Sequence, residues 1–360
     1  PLMDVDASQY ASISREMIER DSFLQIFDRG QNYLDKPPLL FWLSAISMQL
    51  LGVYDWAYRL PSLLVLLAGI YATYQFANIY YGSTIAKLSA MILASSQAVF
   101  LISHDVRTDT MLMGWVMLSI WQLALWFKHQ RWANFMLAFV FIGCGMMTKG
   151  PIALMVRGLA FASHFLLQRN WKQFYRWEYL VGILIIGIIL LPMCIGLYQQ
   201  YDLQPGKLIN GRPINSGLRF YFWTQSFGRY TGENFYHEMS YFTFLLENMF
   251  WSFLPWIFFF LTALFFVIKD LFKYKFQISI EQEFITTGGF ILTYIILARS
   301  QAQLPHYIFV VYPLAAIITG KFLYDLLYLN KAVKWQKPLY YFHLFIFVLL
   351  WIAIIVLTGW

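Results

Sequence analysis

Two short strings near the amino end carry the residue types that chemistry would need: Asp4-Val5-Asp6-Ala7-Ser8-Gln9-Tyr10 and Tyr33-Leu34-Asp35-Lys36-Pro37-Pro38. Carboxylates crowd there: Asp4, Asp6, Glu16, Glu19, Asp21, Asp28 and Asp35 all precede Lys36, in a chain of which only 12% is charged. A carboxylate beside water can take a proton from a hydroxyl or an amine. Lys36 is followed by two prolines, which fix φ and bar a continuing helix, so its ammonium is held rigidly where polar sequence meets apolar sequence. That suits an anionic lipid headgroup. The plainer alternatives are an ion pair with Asp35 or a side chain snorkelling to water.

Further polar groups stand in Ser103-His104-Asp105-Val106-Arg107-Thr108-Asp109-Thr110, at the junction of two apolar runs. Charge at bilayer depth costs about 2.5–3.5 kcal/mol per residue, so such a cluster needs a reason. Arg107 pairing with a neighbouring aspartate in a wet turn is one reason; a role for Asp109, at the head of a span, is another. The segment from Tyr198 to Tyr241 adds Lys207, Arg212, Arg219 and Arg229 to a run dense in aromatics. A guanidinium offers a planar fork of donors that fits phosphate oxygens. Most of the rings read as interface belt, but Arg229 sits between Gly228 and Tyr230 rather than in a solvated charge run.

The elements that must position these groups are helices in a bilayer. The chain has 360 residues, 59% hydrophobic and 20% aromatic, with a mean hydropathy of +0.55. Its apolar runs are long enough to cross about 30 Å of hydrocarbon. They cover approximately 61–80, 84–103, 110–127, 133–148, 151–167, 179–197, 242–267, 284–298, 306–326 and 339–360. An all-α polytopic membrane protein follows, with an outer loop over residues 1–60 and a transmembrane domain of about ten spans over 61–360. Leu39–Leu51 is short for a span and reads as an interfacial helix, and Pro61 is expected to open the first true span. Lys87, Lys128 with Arg131, Arg169 with Lys172 and Arg176, Lys269 with Lys273 and Lys275, and Lys331 with Lys334 and Lys337 fall in alternate connections. These should face the cytoplasm. By parity the opening loop, the His104 to Asp109 turn, the Lys149-Gly150 turn, the 198–241 segment and the 299–306 turn share the other side.

The net charge of +7 is this uneven loop distribution rather than a nucleic-acid footprint. Cys144 and Cys194 lie inside apolar runs, so no disulfide framework is implied. No signal peptide precedes the acidic loop and the chain starts at Pro1, which leads to the expectation that its true beginning is missing.

Asp6-Ala7-Ser8-Gln9-Tyr10, Tyr33-Leu34-Asp35-Lys36-Pro37-Pro38, Arg59-Leu60-Pro61, Arg107-Thr108-Asp109, Thr148-Lys149-Gly150-Pro151 and Leu304-Pro305-His306-Tyr307 occur in that order. The order resembles the polyprenyl-phosphate-sugar glycosyltransferases of the GT-C fold. It is most similar to the branch that holds the bacterial lipid A aminoarabinose transferase and to the protein O-mannosyltransferase superfamily. The resemblance implies a GT-C architecture with interfacial helices in the first outer loop, and a transmembrane helix ahead of that loop. It implies Asp6 as catalytic base and Asp109 as a second acidic catalytic residue. Lys36, Tyr33, Arg229 and Tyr307 would then meet the lipid phosphate, with Arg59 at the substrate site.

Departures from the pattern are specific. Ala7 stands where many relatives have Glu, and Asp4 is the nearest substitute. Gln303 stands where a basic residue often precedes Leu-Pro. No metal site is evident and no cofactor is firmly implied; a divalent metal beside the acidic loop is left open. The expected reaction is inverting transfer of a sugar from a polyprenyl-phosphate donor to a lipid A-like lipid, an envelope glycan or a protein. A single base with no evident covalent partner favours direct displacement. The expected setting is the bacterial inner membrane, with the site facing the periplasm. The competing readings are a transporter or flippase of lipid-linked sugars, which more often shows repeats that are not visible here, and a structural membrane subunit.

Overall fold

The computed structural model describes residues 5–209, 212–231, 233, 241–279, 282–328 and 336–358. The chain folds as a multi-pass helical membrane protein. Helix α1 (Val5–Arg20) and α2 (Leu39–Leu51) come from the first loop, and α3 (Asp55–Tyr81), α4 (Ser83–Ala94), α5 (Gln97–His104), α6 (Thr108–His129), α7 (Trp132–Lys149), α8 (Ile152–Leu167) and α9 (Glu178–Leu197) follow. Beyond the short α10 (Gly217–Arg219) and α11 (Gly228–Thr231) come α12 (Phe244–Ser252), α13 (Ile257–Lys273), α14 (Ile285–Ala298), α15 (Tyr312–Tyr328) and α16 (Gln336–Thr358). Among the described residues five helical stretches are long and apolar enough to cross a membrane, six if α4 and α5 count as one bent span. That is fewer than the ten apolar runs, because Ile152–Leu167, Ile285–Ala298 and Pro338–Leu349 are apolar but shorter and α12 and α13 divide another run.

The departures from a simple bundle have local causes. The first span begins at Asp55 rather than Pro61, which lies inside α3. A proline there leaves the carbonyl of the residue four positions earlier without its helical donor. That carbonyl belongs to Ala57, and the Ser47 hydroxyl on α2 donates to it at 2.6 Å. The interfacial helix therefore completes the helix that follows it. Between α4 and α5 the chain bends by 57°, where the Ser95 and Ser96 hydroxyls donate to the carbonyls of Met91 and Leu93. Such back-bonding offers the backbone an alternative to the helix.

The 242–267 run also breaks, at Leu254-Pro255, because a residue before proline is steered away from helical ψ. The two breaks meet each other. Gln97 N–H donates to the Leu254 carbonyl at 3.0 Å, and Trp256 Nε1–H donates to Ser95 Oγ at 2.9 Å.

Two hairpins lie outside the helices. Phe27–Asp28 pairs antiparallel with Gln31–Asn32 through Arg29 and Gly30, both at positive φ as a tight hairpin turn requires. Lys207–Ile209 pairs with Arg212–Ile214. Gln200 ties the two loop regions together, accepting from Ile26 N–H and donating to the Ile26 carbonyl and to Asn32. Small residues bring the spans close: a Cβ on Gly69 of α3 would meet the backbone of Gly114 on α6 at 2.7 Å.

The five connections assigned to one side do come together. Arg107 faces Asp6 and His306, Lys149 bonds Asp109, and Tyr221 O–H donates to the Met146 carbonyl at the end of α7. Two of the basic connections assigned to the other side meet as well, where Arg176 donates to Gln130 and Glu178 and stacks over the Trp126 ring. Lys331 and Lys334 lie outside the described residues.

Candidate functional site

A cavity opens between the first loop, the α7–α8 turn and the ends of α9 and α14. Its polar lining includes Tyr33, Lys36, Lys149, Gln225 and Tyr307, and its apolar lining includes Leu24, Ile152, Met155, Met193, Leu197 and Leu297. The Lys36 ammonium pairs with Asp35 at 2.8 Å, and Asp35 accepts a further bond from the Gln225 amide at 2.7 Å. The plainer reading of Lys36 as an ion-paired side chain is thus realised, yet the pair sits on the cavity wall and keeps 18% of the Lys36 side chain exposed. Tyr33 is buried against Phe41 in an edge-on contact, and its carbonyl accepts from the Tyr201 hydroxyl.

Lys149 is a charged cavity residue that the sequence reading did not place in the site. It ends α7, and Gly150, at φ 96°, turns the chain away. The ammonium lies 4.1 Å from the centre of the Tyr307 ring, a cation–π contact of the kind favoured where water is excluded. A signal for it existed: a lysine closing an 18-residue helix of high hydropathy, ahead of Gly-Pro, on the side that the basic loops avoid. Gln303, the departure from the family pattern, is buried and donates to the carbonyls of Ala298 and Ser300. It folds its own turn, and the cation at the Tyr307 corner comes from α7 instead.

Asp109 does not line the cavity. It is 3% exposed, bonded to Lys149 on one oxygen and facing His306 Nε2 at 3.6 Å from the other. Its position is behind Lys149, where it sets the direction of the ammonium. Asp6, in the first turn of α1, also lies outside the cavity lining, with 44% of its side chain exposed and Arg107 Nη1 at 3.6 Å. Arg107 in turn pairs with Asp105 at 2.6 Å and reaches His306 Nδ1 at 3.2 Å. Burial pushes the Asp105 carboxyl above its ordinary range. Asp6 is therefore connected to the cavity by a line of polar and charged side chains through Arg107, His306, Asp109 and Lys149.

Tyr10 stands beside this line. Its ring packs edge-on against Phe41, and burial, with Tyr33, Asp6, Asp35 and Asp109 around it, pushes its phenol well above the usual value.

Arg59 does not line the cavity; its charge acts on Asp105 instead. The Arg229 side chain and Asp4 lie outside the described residues. Arg219, on the same segment, is exposed and faces Glu233 at 3.5 Å, an ordinary surface pair. Among the described residues no three His, Cys, Asp or Glu side chains gather as a metal site requires.

Comparison with known proteins places this geometry. The family model of dolichyl-phosphate-mannose-protein mannosyltransferases matches residues 35–195. An undecaprenyl phosphate-alpha-4-amino-4-deoxy-L-arabinose arabinosyl transferase of Pseudomonas fluorescens is 26% identical over 260 residues, covering 70% of this chain and 42% of that protein. A second from the same species is 25% identical, covering 99% of this chain and 65% of that protein. The crystal structure of ArnT from Cupriavidus metallidurans bound to undecaprenyl phosphate superposes with a TM-score of 0.74 at 21% identity, over 89% of this chain and 56% of that one. The chain has the GT-C fold of ArnT, and residues 35–195 match the protein mannosyltransferase family model. The apo oligosaccharyltransferase of Archaeoglobus fulgidus shares the GT-C architecture more distantly, with a TM-score of 0.59 at 11% identity, over 94% of this chain and 49% of that one. The chain spans about half the length of several such relatives, from 42% of the arabinosyl transferase to 56% of ArnT.

Proposed function

We propose that this GT-C chain transfers a sugar from a polyprenyl-phosphate donor to an acceptor at the membrane surface, the acceptor being a lipid of the lipid A kind. The observation that carries the reading is the cavity itself. Two ammonium groups and two tyrosine rings, Lys36, Lys149, Tyr33 and Tyr307, share a wall with apolar side chains from three helices. A phosphate with a long hydrocarbon tail needs both on one surface, cations for the head and apolar lining for the chain. The relatives' names support the same donor class, and the protein mannosyltransferase match keeps a protein acceptor as the second test case.

The chemistry follows from the charges. Asp6, the exposed carboxylate, takes the proton from the acceptor hydroxyl or amine. The acceptor atom bonds to the anomeric carbon as the bond from that carbon to the phosphate oxygen breaks. The electron pair leaves on the polyprenyl phosphate, where Lys36 and Lys149 offset the growing charge. With one carboxylate on the acceptor side the displacement is direct, so the anomeric configuration inverts. Arg229 belongs to the phosphate side of this scheme, and Tyr33 and Tyr307 frame the headgroup. The setting is a bacterial inner membrane with the cavity opening to the periplasm, the side that the basic loops avoid by their sequence pattern.

The test is transfer by the purified protein in liposomes, with an undecaprenyl-phosphate sugar as donor and lipid A or a peptide as acceptor, read by mass spectrometry. Transfer that is lost in Lys36→Ala and Arg229→Ala supports the reading. Normal transfer by both variants contradicts it, and movement of donor across the bilayer without product would point to the flippase.

A further inference from the structure

The base and the phosphate-binding cations belong to different segments, and one side chain bridges them. His306 Nδ1 lies 3.2 Å from Arg107 Nη1. A guanidinium only donates, so this ring nitrogen must accept, and the proton of a neutral imidazole then sits on Nε2. Nε2 points at Asp109 Oδ2, 3.6 Å away. The ring is further fixed by an edge-on contact with Tyr307 at 5.2 Å, and only 16% of its side chain is exposed. The groups that face it are Arg107 before α6, Asp109 on α6, Lys149 on α7 and Lys36 of the first loop.

We propose that His306 is the positioning residue that couples the two halves of the site: it accepts from Arg107, which faces Asp6, and directs its Nε2 proton at Asp109, which holds Lys149 on the cavity wall. Resting on the transferase reading above, this gives His306 no contact with substrate. It sets the direction of the cation beside the base and of the cation at the leaving phosphate at once. A second proton on the ring would put an N–H against Arg107 Nη1 and break the line at its centre. The coupling therefore exists only while the imidazole is neutral.

The experiment compares His306→Gln and His306→Leu with the wild-type protein in the liposome transfer assay, across pH and donor concentration. A glutamine side chain can accept from Arg107 and donate toward Asp109 but cannot titrate. It should keep transfer within roughly threefold of wild type, and its acid limb should lie at lower pH, because the ring that a second proton would charge is gone. Leucine supplies neither bond and should lower kcat by about ten- to a hundredfold, the usual effect of losing a hydrogen bond to a charged group. Leucine at the wild-type rate, glutamine as poor as leucine, or an unchanged acid limb in His306→Gln would each overturn the assignment. Should His306→Leu not fold, the pH profile of His306→Gln decides alone. Absence of transfer by the wild-type protein would instead remove the proposed function, so the two failures are distinct.

Discussion

Replacing Asp109 by Asn tests whether this carboxylate positions Lys149 or acts on substrate itself. The Asp109 and Lys149 side chains are 4% and 10% exposed, so water can stabilise neither charge if its partner is lost. Breaking such a pair from one side costs about 3–5 kcal/mol. The Asn oxygen can still accept from the ammonium, and the Tyr307 ring remains beside it, which places Asp109→Asn at the lower end. About 3 kcal/mol is roughly a hundredfold in the ratio of folded to unfolded protein. Lys149→Met should cost a similar amount, since it removes the cation bonded to the buried Asp109 carboxylate and leaves the His306 ring, 3.6 Å away, as the nearest group facing it. The double variant removes both charges and should be more stable than the sum of the single effects by at least about 2 kcal/mol. Thermal unfolding of the four proteins in detergent measures this cycle. Additive effects, or an Asp109→Asn protein that is as stable as wild type yet inactive, would refute the positioning role and return Asp109 to direct chemistry.

Two other substitutions follow from buried polar groups. Arg157 on α8 is 1% exposed; its Nε donates to Ser119, while Nη1 and Nη2 have no hydrogen-bond partner among the described residues. Arg157→Met should leave thermal stability unchanged or raise it, because a buried unsatisfied charge is removed for a chain of similar shape; a fall of more than about 2 kcal/mol would contradict this. Ser47→Ala leaves the Ala57 carbonyl opposite Pro61 without the donor seen in the fold. It should destabilise the protein by about 1–2 kcal/mol, whereas Ser103→Ala, whose exposed hydroxyl donates only within its own helix to the Phe100 carbonyl, should cost less than about 0.5 kcal/mol. Equal effects at the two serines would count against the repair of α3 by α2.

Much of this architecture could be read from residue types, because in a bilayer the pattern of apolar runs and basic loops is a physical requirement rather than a tendency. The convergence of the first loop, the His104 to Asp109 turn, the Lys149-Gly150 turn and the Leu304-Pro305-His306-Tyr307 corner followed from counting sides. What counting misses is where a run is interrupted from within. The bend at Ser95-Ser96 is made by hydroxyls that compete for helix carbonyls, and the start of α3 at Asp55 depends on a serine from another helix. Neither leaves a mark in hydropathy.

The site was legible in part for a related reason. Lys36 stands out because prolines and carboxylates surround it in sequence. Lys149 is hidden at the end of an apolar helix, and its meaning appears only when Asp109, forty positions away, is beside it. Asp109 in turn reads as reactive when its partner is unknown. The division of labour between touching substrate and holding a neighbour is set by tertiary contacts. The Gln303 departure shows the same point, since the missing cation at that corner is supplied by a different helix.

The most direct test of the central claim is the binding of undecaprenyl phosphate to the purified protein, followed by titration in detergent for wild type, Lys36→Met, Lys149→Met and the solvent-exposed control Arg219→Met. Saturable binding to the wild type and the control, weakened by about tenfold or more in each lysine variant, is the predicted result. Equal affinity in all four proteins would contradict the placement of the lipid phosphate between Lys36 and Lys149.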